Sequence, residues 1–134
     1  MIPFSVDLKP GIPFYEQLIY AAKKAIVSGA LRPGDKFPSV RTLSQALRIN
    51  PNTVQKAVTK LISEKILEVR PGIGCTVTTT KEVHLEQRKD LLAHDVEHLV
   101  VEAKRLYLSE KDIINAIQKY WKQFSTEETE EKDE

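Results

Sequence analysis

The 134-residue sequence has little of several features that would point to other protein classes. It has one cysteine, Cys75, so no disulfide can form within the chain, and we expect a reducing cytoplasmic location. No apolar run approaches the roughly 18 residues that a membrane-spanning helix needs. The first ten residues, MIPFSVDLKP, lack a basic segment followed by an apolar one, so we expect no secretory signal. With 41% hydrophobic and 29% charged residues, the composition is typical of a globular protein.

The small net charge of +1 hides an uneven distribution of charge along the chain. Residues 1–80 carry 11 Lys and Arg against five Asp and Glu, a balance of +6. Residues 81–134 carry nine against 14, a balance of −5. A basic portion followed by an acidic one favours a polyanion as the partner of the first portion.

Three helices are predicted in the basic portion. Residues 1–12 show little periodicity and are interpreted as an irregular lead-in. Apolar residues then recur every three or four positions from Pro13, which suits a first helical turn, to about residue 28. Ser39 is a good cap for a second, shorter helix, and Asn50 followed by Pro51 marks the start of a third.

A β-hairpin is predicted after the third helix. Ile66–Arg70 and Cys75–Thr80 are rich in β-branched residues and flank a segment that contains two glycines. Only Arg48–Asn50 separates the second helix from the third, which is the length of the turn in a helix-turn-helix motif. The expected fold is therefore mainly α with a small β-hairpin wing: a winged helix-turn-helix domain over residues 11–80, followed by a helical appendage.

Two further helices are predicted in the acidic portion, over residues 81–125. The first covers about residues 82–108, and the second follows Ser109, which forms a possible capping box with Asp112, and extends to about Phe124. Leucines recur every seven residues in the first helix, which is typical of a coiled coil, but further apolar residues widen the stripe and favour packing on several partners. Residues 126–134 are mostly acidic, and we expect a disordered tail.

The motifs Pro38-Ser39-Val40-Arg41-x-Leu43, Asn52-Thr53-Val54-x-Lys56-Ala57 and Arg70-x-Gly72-x-Gly74 resemble the DNA-binding domain of the GntR family of bacterial transcriptional regulators. The short remainder resembles the YtrA subfamily, which implies that the C-terminal helices mediate homodimerisation. The residues that we expect at the dimer interface are Leu85, Leu92, Val96, Leu99, Ala103, Leu106, Ile113, Ile117, Tyr120 and Trp121. Many relatives have arginine where this chain has Pro51 and Gln55, so the operator is expected to differ. Many also have glycine at the position of Arg48; a positive φ there would cost about 1 kcal/mol relative to glycine, and the alternative is a turn of a different shape.

The third helix carries most of the residues that we expect at the DNA. Amide side chains such as Asn52 and Gln55 match the paired donor and acceptor of adenine. Lysines four residues apart suit phosphate contacts, and glycines let a wing approach the minor groove. The resemblance places the counterpart of Arg41 at the DNA. The full set of candidate DNA-binding residues is Ser39, Arg41, Asn52, Thr53, Gln55, Lys56, Lys60, Arg70, Gly72 and Gly74.

The expected function is a homodimeric, sequence-specific regulator that binds a two-fold symmetric operator, with repression favoured over activation. The alternative is an architectural or protein-interaction winged-helix module without operator specificity. A small-molecule effector, if one acts, would bind between the wing and the C-terminal helices or in the dimer interface.

No enzyme activity, cofactor or catalytic metal is expected. His94–His98 match the H-x-x-E-H pattern of a zinc peptidase, but a catalytic zinc needs a third ligand, for which the sequence offers no good candidate. The histidines are expected at the surface or an interface, and the sequence leaves open whether this pair binds a metal ion at all.

Overall fold

The structure is a computed structural model that describes residues 2–79 and 85–125. The described residues form two compact units, one on either side of this gap. The first contains three helices and two strands, and it confirms the winged helix-turn-helix architecture. Its elements are α1 (Phe14–Ser28), α2 (Val40–Leu47), α3 (Pro51–Ser63), β1 (Leu67–Arg70) and β2 (Gly74–Val77).

The predicted helix starts are confirmed for α2 and α3. The Ser39 hydroxyl accepts a hydrogen bond from the Thr42 N–H at 3.1 Å. The Asn50 side chain accepts one from the Asn52 N–H at 2.8 Å, with Pro51 in the first helical turn. Each cap satisfies a backbone donor that has no partner inside the helix. Pro13 lies one position earlier than predicted, at the cap of α1 rather than in its first turn.

Arg48 ends α2 in a left-handed backbone conformation with a φ of 55°. The next N–H, of Ile49, reaches back to the Ser44 carbonyl at 3.2 Å, which closes the helix and turns the chain toward α3. A residue with a Cβ has strain in this region, whereas glycine does not. The same conformation ends α3 at Lys65, with a φ of 61°.

The predicted hairpin is confirmed, but its second strand is shorter than expected. Leu67 pairs with Val77 and Arg70 with Gly74 in an antiparallel register. Thr78 and Thr79 lie beyond the ladder, although the Thr78 N–H still donates to the Ile66 carbonyl at 3.1 Å, and Thr80 lies outside the described residues. Half-buried Cys75 lies in β2.

The core of this unit is built from the inner faces of all three helices and the hairpin. It also includes two residues from the segment between α1 and α2, Leu31 and Phe37, each only 2% exposed. The Phe37 N–H donates to the Cys75 carbonyl at 2.8 Å, so this segment lies along β2 like a short third strand. The buried helical and hairpin residues include Leu18, Ala22, Leu43, Val54, Ala57, Leu61, Leu67 and Val77.

Residues 2–9 form an arm that packs on this core. Ile2, Phe4, Val6 and Leu8 alternate with exposed residues and are half-buried against it. The predicted irregular lead-in thus has no helix or strand over residues 2–9, but its side chains alternate between half-buried and exposed.

The second unit consists of α4 (Leu85–Asp90), one π-helical turn (Leu91–Asp95), α5 (Val96–Arg105) and α6 (Glu110–Gln123). The long helix predicted to continue to residue 108 ends at Arg105, because Tyr107 adopts a left-handed φ of 61°. Its predicted start, at residues 82–84, lies outside the described residues, as does the acidic segment 126–134.

The predicted capping box of α6 is confirmed. The Ser109 hydroxyl accepts from the Asp112 N–H at 3.0 Å, and the Asp112 carboxylate accepts from the Ser109 N–H at 2.9 Å. The hydrogen bond from the Ser109 backbone N–H to the Asp112 carboxylate is the main cause that lowers the pKa of Asp112 below its ordinary value, and the nearby Ser109 hydroxyl adds to the effect. No helix among the described residues is long and apolar enough to cross a membrane.

Candidate nucleic-acid interface

Helix α3 has one apolar face and one polar face. Val54, Ala57, Val58 and Leu61 are buried at spacings of three and four, which anchors the helix to the core. The outward face is polar, without an acidic side chain before Glu64. Its exposed members are Asn52, Gln55, Lys56, Thr59 and Lys60, and Thr53 is half-buried at its edge.

The two amides lie in the first half of α3, where a recognition helix meets base edges. The Asn52 side chain is exposed, while its backbone N–H is held by the Asn50 cap. The Gln55 amide nitrogen donates to the Thr59 hydroxyl at 3.2 Å. That hydrogen bond orients the Gln55 side chain along the helix surface and leaves a second N–H and the carbonyl oxygen for a base.

The two lysines of α3 each have a partner within the protein. The Lys56 ammonium lies 4.8 Å from the centre of the Tyr15 ring on α1. The Lys60 ammonium is 4.0 Å from the Glu64 carboxylate, which also accepts from Lys23 of α1 at 3.3 Å. These contacts join α3 to α1, and Glu64 partly neutralises the positive charge that Lys60 would offer to a phosphate.

Arg41 lies in the first turn of α2, two residues after the Ser39 cap. It is exposed, and its side chain makes no hydrogen bond or ion pair with any residue in the two described ranges. The Ser39 hydroxyl, by contrast, is already engaged, since it accepts from the Thr42 N–H and donates to the Thr42 hydroxyl at 2.9 Å. Arg41 is therefore the better placed of the two for an external anion.

The wing carries the remaining candidates. Gly72 and Gly74 have φ values of 77° and 110°, and a Cβ added at either would meet no atom within 4 Å, so the backbone here is open to an approaching surface. The Arg70 guanidinium donates to the Glu68 carboxylate at 3.0 Å and lies 3.4 Å from the Thr79 hydroxyl. Only residues 64–66 separate α3 from β1, so the first wing strand starts near the C-terminal end of α3.

Most of the residues predicted at a dimer interface are exposed in the single chain. The exposed fraction is 70% for Leu92 and 77% for Trp121. Ala103, however, is only 6% exposed and Ile113 is half-buried, so these two have less surface to offer a partner. The other exposed members of the predicted set are Leu85, Val96, Leu99, Leu106, Ile117 and Tyr120.

Comparison with known proteins identifies the family. The sequence pattern described as "Bacterial regulatory proteins, gntR family" matches residues 14–77. The chain is 34% identical, over 99 residues, to the HTH-type transcriptional repressor YtrA of Bacillus subtilis (strain 168), covering 73% of this chain and 76% of that protein. The chain belongs to the GntR family. It is a DNA-binding regulator of transcription with a winged-helix fold.

Solved structures of GntR-family proteins share this fold. A GntR family transcriptional regulator from Listeria monocytogenes aligns with a TM-score of 0.65 at 28% identity, covering 84% of this chain and 98% of that one. YtrA from Sulfolobus acidocaldarius, a GntR-family transcription factor, aligns with a TM-score of 0.52 at 29% identity, covering 89% and 97%.

The structure adds three residues to the candidate interface that the sequence does not indicate as a set. Tyr15 and Glu64 hold the α3 lysines, and Ile73, which is 52% exposed, lies between the two wing glycines. The i,i+4 spacing of Lys60 and Glu64 is a signal that the sequence does contain. The contact of Lys56 with Tyr15 joins two helices and has no local signal.

Proposed function

We propose that this GntR-family protein is a homodimeric repressor that binds a two-fold symmetric DNA operator in the cytoplasm. The observation that carries the proposal is the outward face of α3, which displays two amides and two lysines while its other face is locked into the core. Such a helix presents hydrogen-bonding groups in a fixed register, which is what discrimination between bases requires.

Each group has a distinct role in the proposed complex. Asn52 and Gln55 read base edges in the major groove, and Thr53 contacts a phosphate or a thymine methyl. Arg41 forks onto a guanine or a phosphate. Lys56 and Lys60 contact phosphates. To do so, the Lys60 ammonium gives up part of its ion pair with Glu64.

The wing has the proposed role of a second contact. The open backbone at Gly72 and Gly74 approaches the minor groove. Arg70, in the same hairpin, releases the Glu68 carboxylate and binds a phosphate instead.

The C-terminal unit is the proposed dimerisation region. Its large apolar side chains are exposed to an extent that a monomeric protein in water rarely tolerates as a continuous surface. A second copy is the partner that fits best, because two joined heads make the second half-site contact effectively intramolecular and so raise the affinity for a symmetric operator. The similarity to a protein named as a repressor supports repression rather than activation.

The deciding experiment is selection of bound duplexes from a random DNA library by the full-length protein at near-physiological salt. We expect a two-fold symmetric consensus with half-sites about one helical turn apart, and with adenine at positions that face Asn52 and Gln55. Strong binding that depends steeply on salt but enriches no sequence would indicate an architectural protein, and no DNA binding would indicate a protein-interaction module. Either result would refute the proposal.

A further inference from the structure

His94 and His98 come together on the long helical segment of the C-terminal unit. Their ring centroids are 4.4 Å apart and the ring planes are tilted by 43°. His94 lies in the π-helical turn Leu91–Asp95 and His98 in the first turn of α5, and both side chains are exposed. Turns of π-helix are uncommon and often occur at functional sites.

This histidine pair shares a helix face with Leu91, three residues before His94, and Val101, three residues after His98. His94 is two residues after Leu92 and two before Val96, and two residues are roughly half a turn in a helix. The pair therefore lies away from Leu92 and Val96 but next to the exposed apolar residues that widen the stripe. Its properties can be tested whether or not the protein dimerises or binds DNA.

The chemistry of the pair is that of a chelate. Neutral imidazole is a good ligand for Zn²⁺, Ni²⁺ and Cu²⁺, and two histidines four residues apart on a helix can bind one ion together. Once one ring holds the ion, the second binds it intramolecularly at a high effective concentration. Glu102, one helical turn beyond His98, is paired with Arg105 at 2.9 Å.

We propose that His94 and His98 form a two-histidine site for a divalent transition-metal ion of the Zn²⁺ class. Among the residues that the structure describes, no cluster of three or more histidine, cysteine or carboxylate side chains could hold an ion. The remaining coordination positions are therefore filled by water, with one ion per chain. Such an exposed, water-completed site is a binding site and not a catalytic centre of the peptidase type, which needs a third protein ligand.

Metal binding at this position would also fasten the helix. The two rings span the junction between the π-helical turn and α5, so a bound ion cross-links one turn across that junction. Because the ion binds the folded helix better than the unfolded chain, it should raise the thermal stability of the C-terminal unit.

The test is Zn²⁺ titration of the chelator-treated full-length protein, followed by calorimetry and by competition with a chromophoric chelator. We expect one ion per chain at this site, and a loss of affinity of about tenfold or more in either His94→Gln or His98→Gln. Two matched controls keep the affinity of the unchanged chain: His84→Gln, at the third histidine, and Glu97→Gln, beside the site. Unchanged affinity in both histidine variants would overturn the proposal and assign any uptake to carboxylates elsewhere.

A second measurement separates a chelate from loose association. Saturating Zn²⁺ should raise the melting temperature of the helical circular dichroism signal in the unchanged protein and in both controls, but not in His94→Gln or His98→Gln. An equal rise in all five proteins would contradict a site that spans the two histidines.

Discussion

Arg41 is the residue at which the proposed DNA contact can be tested with least risk to the fold. Its side chain is exposed and bonds to nothing within the described ranges, so Arg41→Ala should change the free energy of unfolding by no more than about 0.5 kcal/mol. At the DNA, one guanidinium contact to a base or phosphate contributes about 1–3 kcal/mol. Affinity for one half-site should therefore fall about 5- to 150-fold.

The loss should be about twice as large in free energy on a symmetric operator, because a dimer presents Arg41 at both half-sites. Fluorescence anisotropy with the selected operator, at several salt concentrations, measures the loss and also identifies the contact. A phosphate contact lowers the slope of log affinity against log salt by about one per site, whereas a guanine contact relaxes specificity at one base position.

Arg105→Ala is the matched control for this substitution. It removes the same side chain from α5, where Arg105 is paired with Glu102 on the exposed surface of the other unit. Operator affinity should be retained in this variant. Equal affinity of the Arg41→Ala and unchanged proteins would refute the placement of Arg41 at the DNA.

Three further predictions address stability and assembly. Arg48→Gly should stabilise the DNA-binding unit by about 1 kcal/mol, because glycine relieves the strain at φ 55°, and an unchanged or lower melting temperature would contradict this. Leu99→Asp should shift the protein from dimer to monomer in sedimentation, whereas Lys104→Asp, on the same helix, should not; a dimeric Leu99→Asp variant would exclude this face. Because the pKa of Asp112 is lowered in the folded protein, its cap stabilises α6 at a pH above the ordinary pKa, and this stabilisation is lost as the pH falls through the lower folded pKa. The helical circular dichroism signal should therefore decline below about pH 4, and Asp112→Asn should show a smaller decline. Identical acid titration curves for the two proteins would contradict this prediction.

The fold was predictable where its signals are local. The Ser39 and Asn50 caps and the capping box at Ser109 each act within two or three positions along the chain, and each has the predicted hydrogen bonds, while Pro51 lies in the first turn of α3 as predicted. A cap works through backbone groups that any helix leaves unpaired, so the residue type is informative without knowledge of the tertiary structure. The wing was predictable for a similar reason, because two glycines separate two β-branched runs.

The rest depends on contacts between distant parts of the chain. Phe37 lies in a segment that looks like a turn, yet it is buried because its backbone pairs with Cys75 and its ring stacks on Phe4 at a centroid distance of 5.7 Å. The arm is long enough for a strand, but the prolines at residues 3 and 10 favour an irregular segment, and the value of its alternation depends on a core formed by distant residues. The π-helical turn at Leu91–Asp95 likewise had no signal that distinguished it from the surrounding helix.

The internal partners of the α3 lysines change how DNA recognition should be divided among residues. A lysine held by Glu64 or stacked on Tyr15 must give up part of that contact to bind a phosphate, so its net contribution is smaller than that of an unpaired cation. Arg41 has no ion pair to break among the described residues, so its contact with DNA is not weakened in this way. The uncharged amides of Asn52 and Gln55 contribute to binding without counterion release. Specific binding by this chain should consequently depend less on salt than the number of its basic residues suggests, and more on the bases that face the first half of α3.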